Sequence, residues 1–171
     1  MEEIIVWLLE LIGFPTAAGG DGALPCVTFI ERALSERGVG VRTFVTEGGA
    51  GKAHHLLAEV PGERADSVML HAHLDTAPNG RKEEWRFPAD RATRRAGFVC
   101  GRGAIDCKGP LAVWMKLLAD AAEGGKRPYT LKLLVTDLEE QGGEDGAGLL
   151  LRQHPELLSG LKLVIGEGGG R

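Results

Sequence analysis

His71, His73 and Asp75 stand at alternate positions in the stretch VMLHAHLDTAP (68–78), directly after the apolar run Val68-Met69-Leu70. A strand repeats every two residues, so these three ionisable side chains share one face while Ala72 and Leu74 take the other. Two imidazoles and a carboxylate at the end of an apolar strand suit a solvated surface, a buried polar network or a site. Further segments add acids: Asp106 in CGRGAIDCKGP (100–110), Glu139 and Glu140 in LKLLVTDLEE (131–140), and Glu167 in LKLVIGEGGG (161–170). Carboxylates gathered at one edge repel each other unless something positive lies among them. Lys108 and Arg102 are the cations these segments offer at that end. A divalent metal is the simpler counter-charge, and imidazole nitrogen with carboxylate oxygen is a donor set suited to zinc. His73 with Asp75 two residues on reads as a ligand and the carboxylate that orients it. The adjacent Glu139 and Glu140 can divide labour, one on metal and its neighbour taking a proton from water.

Other reactive residue types carry less. His54 and His55 are neighbours on a strand and point to opposite faces, so both cannot ligate one metal. His71 shares a face with His73 and reads as a buried structural residue. His154 reads as a helix-end residue interacting with the dipole. Cys26 and Cys107 read as small packing residues. Gly101-Arg102-Gly103 lacks the GxxxxGK[ST] pattern of a phosphate loop and does not open a helix.

These segments need elements to carry them. Helices are expected over Glu2 to Ile12, from near Pro25 to a C-cap at Gly38, over Pro110 to Ala122, and over Gly146 to Gln153. Strands are expected over Val41 to Thr46, Leu56 to Val60, Val68 to Leu74, Leu131 to Thr136 and Leu161 to Ile165, with Pro61-Gly62 as the turn between the second and third. Residues 79–96 read as a long polar loop holding Trp85 and Phe87. Helices alternating with strands predict an α/β fold, a three-layer sandwich with helices on both faces of a sheet. In such sheets sites form beyond the carboxyl ends of strands, where the acidic segments fall.

The chain has 171 residues, 43% hydrophobic and 26% charged, which suits a globular fold with a sizeable core. A net charge of −4 gives a nucleic acid or an anionic membrane no electrostatic support. Its three cysteines form no CxxC pair, which fits a reducing, cytoplasmic setting. A dinucleotide-binding domain would need a GxGxxG turn after its first strand, and the sequence has none.

The motifs HLDTAP (73–78), GRGAIDCKG (101–109), TDLEEQGG (136–143) and GEGGG (166–170), in that order, resemble those of the M20 family. That family comprises zinc-dependent peptidases and N-acyl amino acid hydrolases, among them carboxypeptidases, aminoacylases and deacylases. Trp85 followed by Phe87-Pro88 is similar to the family's loop after the first motif. The resemblance implies a central mixed, mostly parallel sheet. It implies zinc ligands at His73, Asp106, Glu140 and Glu167, with Asp106 bridging two metals, Glu140 on one and Glu167 on the other. Asp75 would support His73, Glu139 would be the general base, and the Asp106–Cys107 peptide bond would be cis. Co2+ or Mn2+ could stand in for zinc. The implied reaction is hydrolysis of an amide bond in a small peptide or N-acyl amino acid by a zinc-bridged water. Leu138 is a departure, because the family often has an acid immediately before the glutamate pair.

By the same resemblance residues 1–171 match the N-terminal portion of the catalytic domain. The family's lid and dimerisation domain, and a C-terminal segment with one more histidine ligand, have no counterpart in the sequence. One metal would keep His73, Asp106 and Glu167, and the other only Asp106 and Glu140. One well-formed zinc site and impaired hydrolysis are therefore expected. The alternatives are an inert truncated fragment, or one half of a split enzyme acting through self-association or a partner that supplies the C-terminal half.

Overall fold

Ile4, Trp7, Leu8 and Leu11 recur at helical spacing, and they turn the apolar side of helix α1 (Glu2–Gly13) toward the core. The computed structural model describes residues 1–17 and 20–167. Gly168, Gly169 and Gly170 of the last motif lie outside the described residues. Helix α2 (Ala23–Ser35) buries Cys26, Val27, Ile30 and Leu34, and Gly38, at φ +76°, turns the chain into the sheet.

The strands β1 (Gly40–Gly48), β2 (Gly51–Val60), β3 (Ser67–His73), β6 (Thr130–Thr136) and β7 (Leu161–Ile165) form one sheet in the order β1-β2-β6-β3-β7. β1 and β2 form an antiparallel hairpin, β2 runs antiparallel to β6, and β3 runs parallel to both β6 and β7. The sheet is mixed as expected, with parallel pairings making up half of its neighbours rather than most. Pro61-Gly62 does not join a β-hairpin, because β6 lies between β2 and β3. Gly62 is needed where the chain passes Tyr129: a Cβ there would lie 2.2 Å from the Tyr129 carbonyl carbon.

Alternation along the strands sorts the side chains into two layers. Leu56, Ala58, Leu70, Ala72, Leu133 and Val135 pack under α1, α2 and α3 (Lys108–Glu123), which contributes Leu111, Met115, Leu118 and Ala119. Leu57, Met69 and Leu134 face the other way, against Leu150 of α4 (Leu149–Gln153) and Leu157. Helices therefore cover both faces. That second face also carries His55, His71, His73, Lys132 and Thr136, so its apolar cluster is smaller.

Two local expectations are revised. Part of the region taken as loop is a short hairpin, β4 (Thr93–Arg95) with β5 (Phe98–Cys100), turned by Ala96 at φ 51° and Gly97 at φ 82°. The helix expected from Gly146 begins only at Leu149. A π-helical turn, Glu144–Gly148, precedes it, and Gly146 is kinked at ψ −111°. The kink lets the backbone press on the preceding acidic turn, since a Cβ on Gly146 would lie 2.1 Å from the Asp137 carbonyl oxygen.

Candidate metal centre

Because β3, β6 and β7 run parallel, their carboxyl ends lie on one edge, and the segments after them carry Asp75, Asp137 to Glu140, and Glu167. His73 is the last residue of β3, paired with Thr136 of β6, and its side chain is 1% exposed. Its backbone is clamped by Cys107: the His73 N–H donates to Sγ at 3.0 Å, and the thiol donates to the His73 carbonyl at 3.1 Å. The imidazole Nδ1 donates to the Asp75 carbonyl oxygen at 2.9 Å, which leaves Nε2 as the nitrogen open to a metal or a proton.

Acids converge on that nitrogen. Asp106 Oδ1 lies 2.9 Å from His73 Nε2, Glu167 Oε1 3.2 Å and Glu139 Oε2 3.7 Å. One potential ligand atom from each of His73, Asp106, Cys107 and Glu167 lies within 4.8 Å of all the others. Burial by itself would lower the His73 pKa, but hydrogen bonds to Asp75 and Cys107 and nearby negative charge override it and push it up to about 12. A proton and a metal ion are alternative counter-charges at the same nitrogen.

The sequence placed the Asp75 carboxylate on His73. In the structure Asp75 Oδ1 is 3.4 Å from Nδ1, farther than the Asp75 carbonyl. Its carboxylate mainly serves the acidic turn, with Oδ1 accepting the Glu139 N–H at 3.1 Å and Oδ2 the Glu140 N–H at 3.0 Å. Asp75 thus ties the histidine and both glutamates into one unit. The Asp75 pKa falls despite burial, because the His73 bond and these two amides stabilise the anion.

Asp106 is 67% exposed at its side chain and Glu139 49%, so both face the open side of the centre. Burial, opposed by His73 and reinforced by Glu167, Asp75 and Glu140, pushes the Glu139 carboxyl above the ordinary range. That direction suits a proton acceptor. Glu140 stands apart from the His73 cluster, with Oε1 accepting the Ala77 N–H at 2.8 Å. It lines, with Asp106, Trp85, Phe98 and Ile105, a cavity of about 480 Å³. The Asp106–Cys107 peptide bond is cis.

The two nearby cations do not answer these acids. Lys108 is buried and donates to the Phe14 carbonyl oxygen at 2.9 Å. Arg102 stacks over Trp85 at 4.9 Å and donates to the Pro78 carbonyl. Among the described residues no Lys or Arg lies within ion-pair distance of Asp106, Glu139, Glu140 or Glu167. A fixed imidazole with convergent carboxylates and no cation among the described residues paired with them fits a divalent metal. The Cys107 thiol is spent on the His73 backbone, and burial pushes its pKa up to about 11, which fits the packing role read from the sequence.

His71 is bonded to Thr136 Oγ1 at 3.0 Å, and burial, then His73, lowers its pKa. His154 meets the Phe44 ring at a tilt of 59°, with centroids 4.9 Å apart, and contacts Glu156. A larger cavity of about 620 Å³ is formed by the 79–91 loop and includes none of the convergent acids. Sequence reasoning missed Asp137, Thr46 and a role for His55. Asp137 Oδ1 accepts the Leu138 N–H at 2.9 Å and Oδ2 the His54 N–H at 3.2 Å, while the Asp137 N–H meets His55 Nδ1 at 3.3 Å. The signal available was Asp137 itself, an acid two residues before the glutamate pair.

The model of peptidase family M20/M25/M40 matches residues 69–171. A cysteinylglycine-S-conjugate dipeptidase of Corynebacterium striatum is 35% identical over 105 residues, 61% of this chain and 23% of that protein. A succinyl-diaminopimelate desuccinylase of Delftia acidovorans is 29% identical over 164 residues, 92% of this chain and 42% of that protein. In fold, an M20 family metallo-carboxypeptidase of Sulfolobus solfataricus superposes with a TM-score of 0.85 at 23% identity, over 99% of this chain and 38% of that one. Human carnosine dipeptidase 1 gives 0.82 at 21% identity, over 96% and 38%. The chain therefore spans less than half the length of each of these relatives.

Proposed function

The chain belongs to peptidase family M20/M25/M40, and from that premise we propose that it is the N-terminal portion of a metal-dependent amide hydrolase acting on a dipeptide or an N-acyl amino acid. The observation that carries this reading is the convergence of Asp106, Glu167 and Glu139 on His73 Nε2, with no Lys or Arg of the described residues within ion-pair distance of them. His73, Asp106 and Glu167 would hold one zinc in a well-formed site, whereas a second would find only Asp106 and Glu140. Co2+ and Mn2+ suit the same donors. A divalent ion held there supplies Lewis-acid polarisation of an amide carbonyl and a more acidic water.

The chain's own residues do the rest. Cys107 and the Asp75 carbonyl hold His73 so that Nε2 faces the acids. Asp75 accepts both amides of the Glu139–Glu140 turn and so fixes the distance between base and ligand. Glu139, with its carboxyl pKa raised, takes a proton from water at the open side and returns it to the leaving amine. Asp106, exposed beside the cavity, can turn one oxygen toward His73 and the other outward. Three cysteines with no CxxC pair suit a reducing, cytoplasmic setting for the reaction.

Purified chain is incubated with zinc and assayed on N-acetyl amino acids and dipeptides, and its metal content is measured after loosely bound ion is removed. Hydrolysis that a chelator abolishes and Glu139→Ala eliminates supports the reading. No turnover by metal-loaded chain overturns it for this polypeptide.

A second reading, of a chain that acts only in association with another, is favoured by the sheet edge: Leu163, Val164 and Ile165 of β7 are 52%, 50% and 40% exposed. Sedimentation of the purified chain separates the two. A monomer with full turnover excludes the second.

A further inference from the structure

Resting on that reading, we infer that His55 is a positioning residue for the proposed general base, holding the start of the Glu139–Glu140 turn while Asp75 holds its end. The turn has two ends. Asp75 holds the far end, through the Glu139 and Glu140 amides. The near end begins at Asp137, the first residue past β6, and its N–H points at His55 Nδ1, 3.3 Å away on β2.

His55 is fully buried and both ring nitrogens are engaged. With Nδ1 accepting, Nε2–H donates to Thr46 Oγ1 at 3.0 Å, and that hydroxyl donates to the Asp145 carbonyl at 3.2 Å. The relay thus connects β2, β1, the acidic turn and the π-helical turn behind it. Asp137 adds its own ties, to the His54 and Leu138 amides. Burial, and then the neighbouring His54, pushes the His55 pKa down to about 4, so the ring is neutral and Nδ1 stays an acceptor near pH 7.

The turn requires such restraint. Leu138, between Asp137 and Glu139, sits at φ +62°, a left-handed conformation that a bulky side chain rarely adopts. Such a residue persists only where its surroundings over-determine it. Gly146 packs against the Asp137 carbonyl on one side, and His55 holds the Asp137 amide on the other. Without the His55 acceptor, Asp137 loses a buried partner, Leu138 can relax, and the Glu139 carboxylate leaves its place 3.7 Å from His73 Nε2. A shift of about 1 Å at such a group can cost on the order of 100-fold in rate.

Two conservative variants separate positioning from bulk. His55→Asn places an amide oxygen near the Nδ1 position and keeps the acceptor for Asp137. His55→Gln reaches toward Thr46 and loses that acceptor. Each variant, with His55→Phe, is confirmed folded by circular dichroism. Hydrogen exchange is then followed in a peptide covering residues 137–140, and kcat and KM are measured with zinc and an N-acetyl amino acid. His55→Gln and His55→Phe are expected to expose the 137–140 amides, with protection in α3 unchanged, and to lower kcat roughly 10- to 100-fold at constant KM. His55→Asn is expected to restore both. Unchanged exchange in His55→Gln, or equal damage in His55→Asn and His55→Gln, overturns the inference. If wild-type chain shows no hydrolysis, the functional reading fails, and the exchange pattern still decides whether His55 holds the turn. If His55→Phe does not fold, the comparison of Asn with Gln decides alone.

Discussion

The two faces of the central sheet are built from the same strands and do different work. Under α1, α2 and α3 the sheet offers Leu56, Ala58, Leu70, Ala72, Leu133 and Val135, all buried and all apolar. On the other face the same strands offer His55, His71, His73, Lys132 and Thr136, and every one of the three imidazoles has a hydrogen-bond partner. The first face gains free energy from area removed from water. The second must satisfy each polar group individually, because an unpaired buried donor or acceptor costs about 1–3 kcal/mol. The difference shows where the fold places chemistry: on the face whose groups are held by directed bonds, at the edge where the parallel strands end.

Substitutions on each face test that division. The largest effect is expected from Glu139→Gln, which keeps shape and removes the proton acceptor. Turnover should fall by about 10²–10⁴-fold, the range for loss of a general base, with no change in melting temperature. Steady-state rates and a thermal scan on the same preparation check it. A comparable fall in stability would move Glu139 from chemistry to structure.

On the apolar face, Leu133→Ala removes a fully buried side chain from the middle of the core. Denaturant unfolding should show a loss of about 2–5 kcal/mol, while the folded variant binds zinc with the wild-type stoichiometry. A metal content that falls with the core would show that the faces are not independent.

The third prediction concerns acid. His55 titrates at about 4 against an ordinary 6.5, so between those values the unfolded chain takes up a proton that the native state refuses, and stability falls as pH drops. Asp137 is pushed up to about 6 from 3.8, chiefly by burial, so the native state takes up its proton first and stability rises over nearly the same window. The two contributions, each about 3 kcal/mol at 1.36 kcal/mol per unit, oppose one another. Wild-type stability should therefore vary little with pH between 6.5 and 4 on their account. His55→Asn removes one of them, and its unfolding free energy relative to wild type should improve by about 3 kcal/mol from pH 7 to pH 4. Urea titrations at both pH values check the sign.

The smallest effect is expected from Thr46→Val, which leaves the His55 Nε2–H without its acceptor. A loss of about 1–3 kcal/mol is expected, and the Asp137–His55 bond should keep the acidic turn in place. Exposure of the 137–140 amides in this variant would put the weight of the relay on β1 rather than on His55.

Much of this was legible in the residues. Period-two alternation at His71, His73 and Asp75 and the ordered acidic motifs located the strands and the edge, since periodicity is a local property written into the chain. The β4–β5 hairpin escaped notice because it is three residues a side and is turned by an alanine. The helix at 146–153 was overestimated because nothing local shows that Gly146 presses on Asp137, a contact between separate segments.

The sequence by itself determined the α/β class, the apolar strands and the residue types that end them. Only the tertiary structure decided that β6 inserts between β2 and β3, which brings His55 of one strand under Asp137 of another. Only it decided that Asp75 spends its carboxylate on the amides of the glutamate turn and its carbonyl on His73. Hydrogen-bond partners 64, 65 and 82 positions apart in the chain are chosen by strand order and register. Those are set by the packing of two whole faces, so no local pattern can specify them.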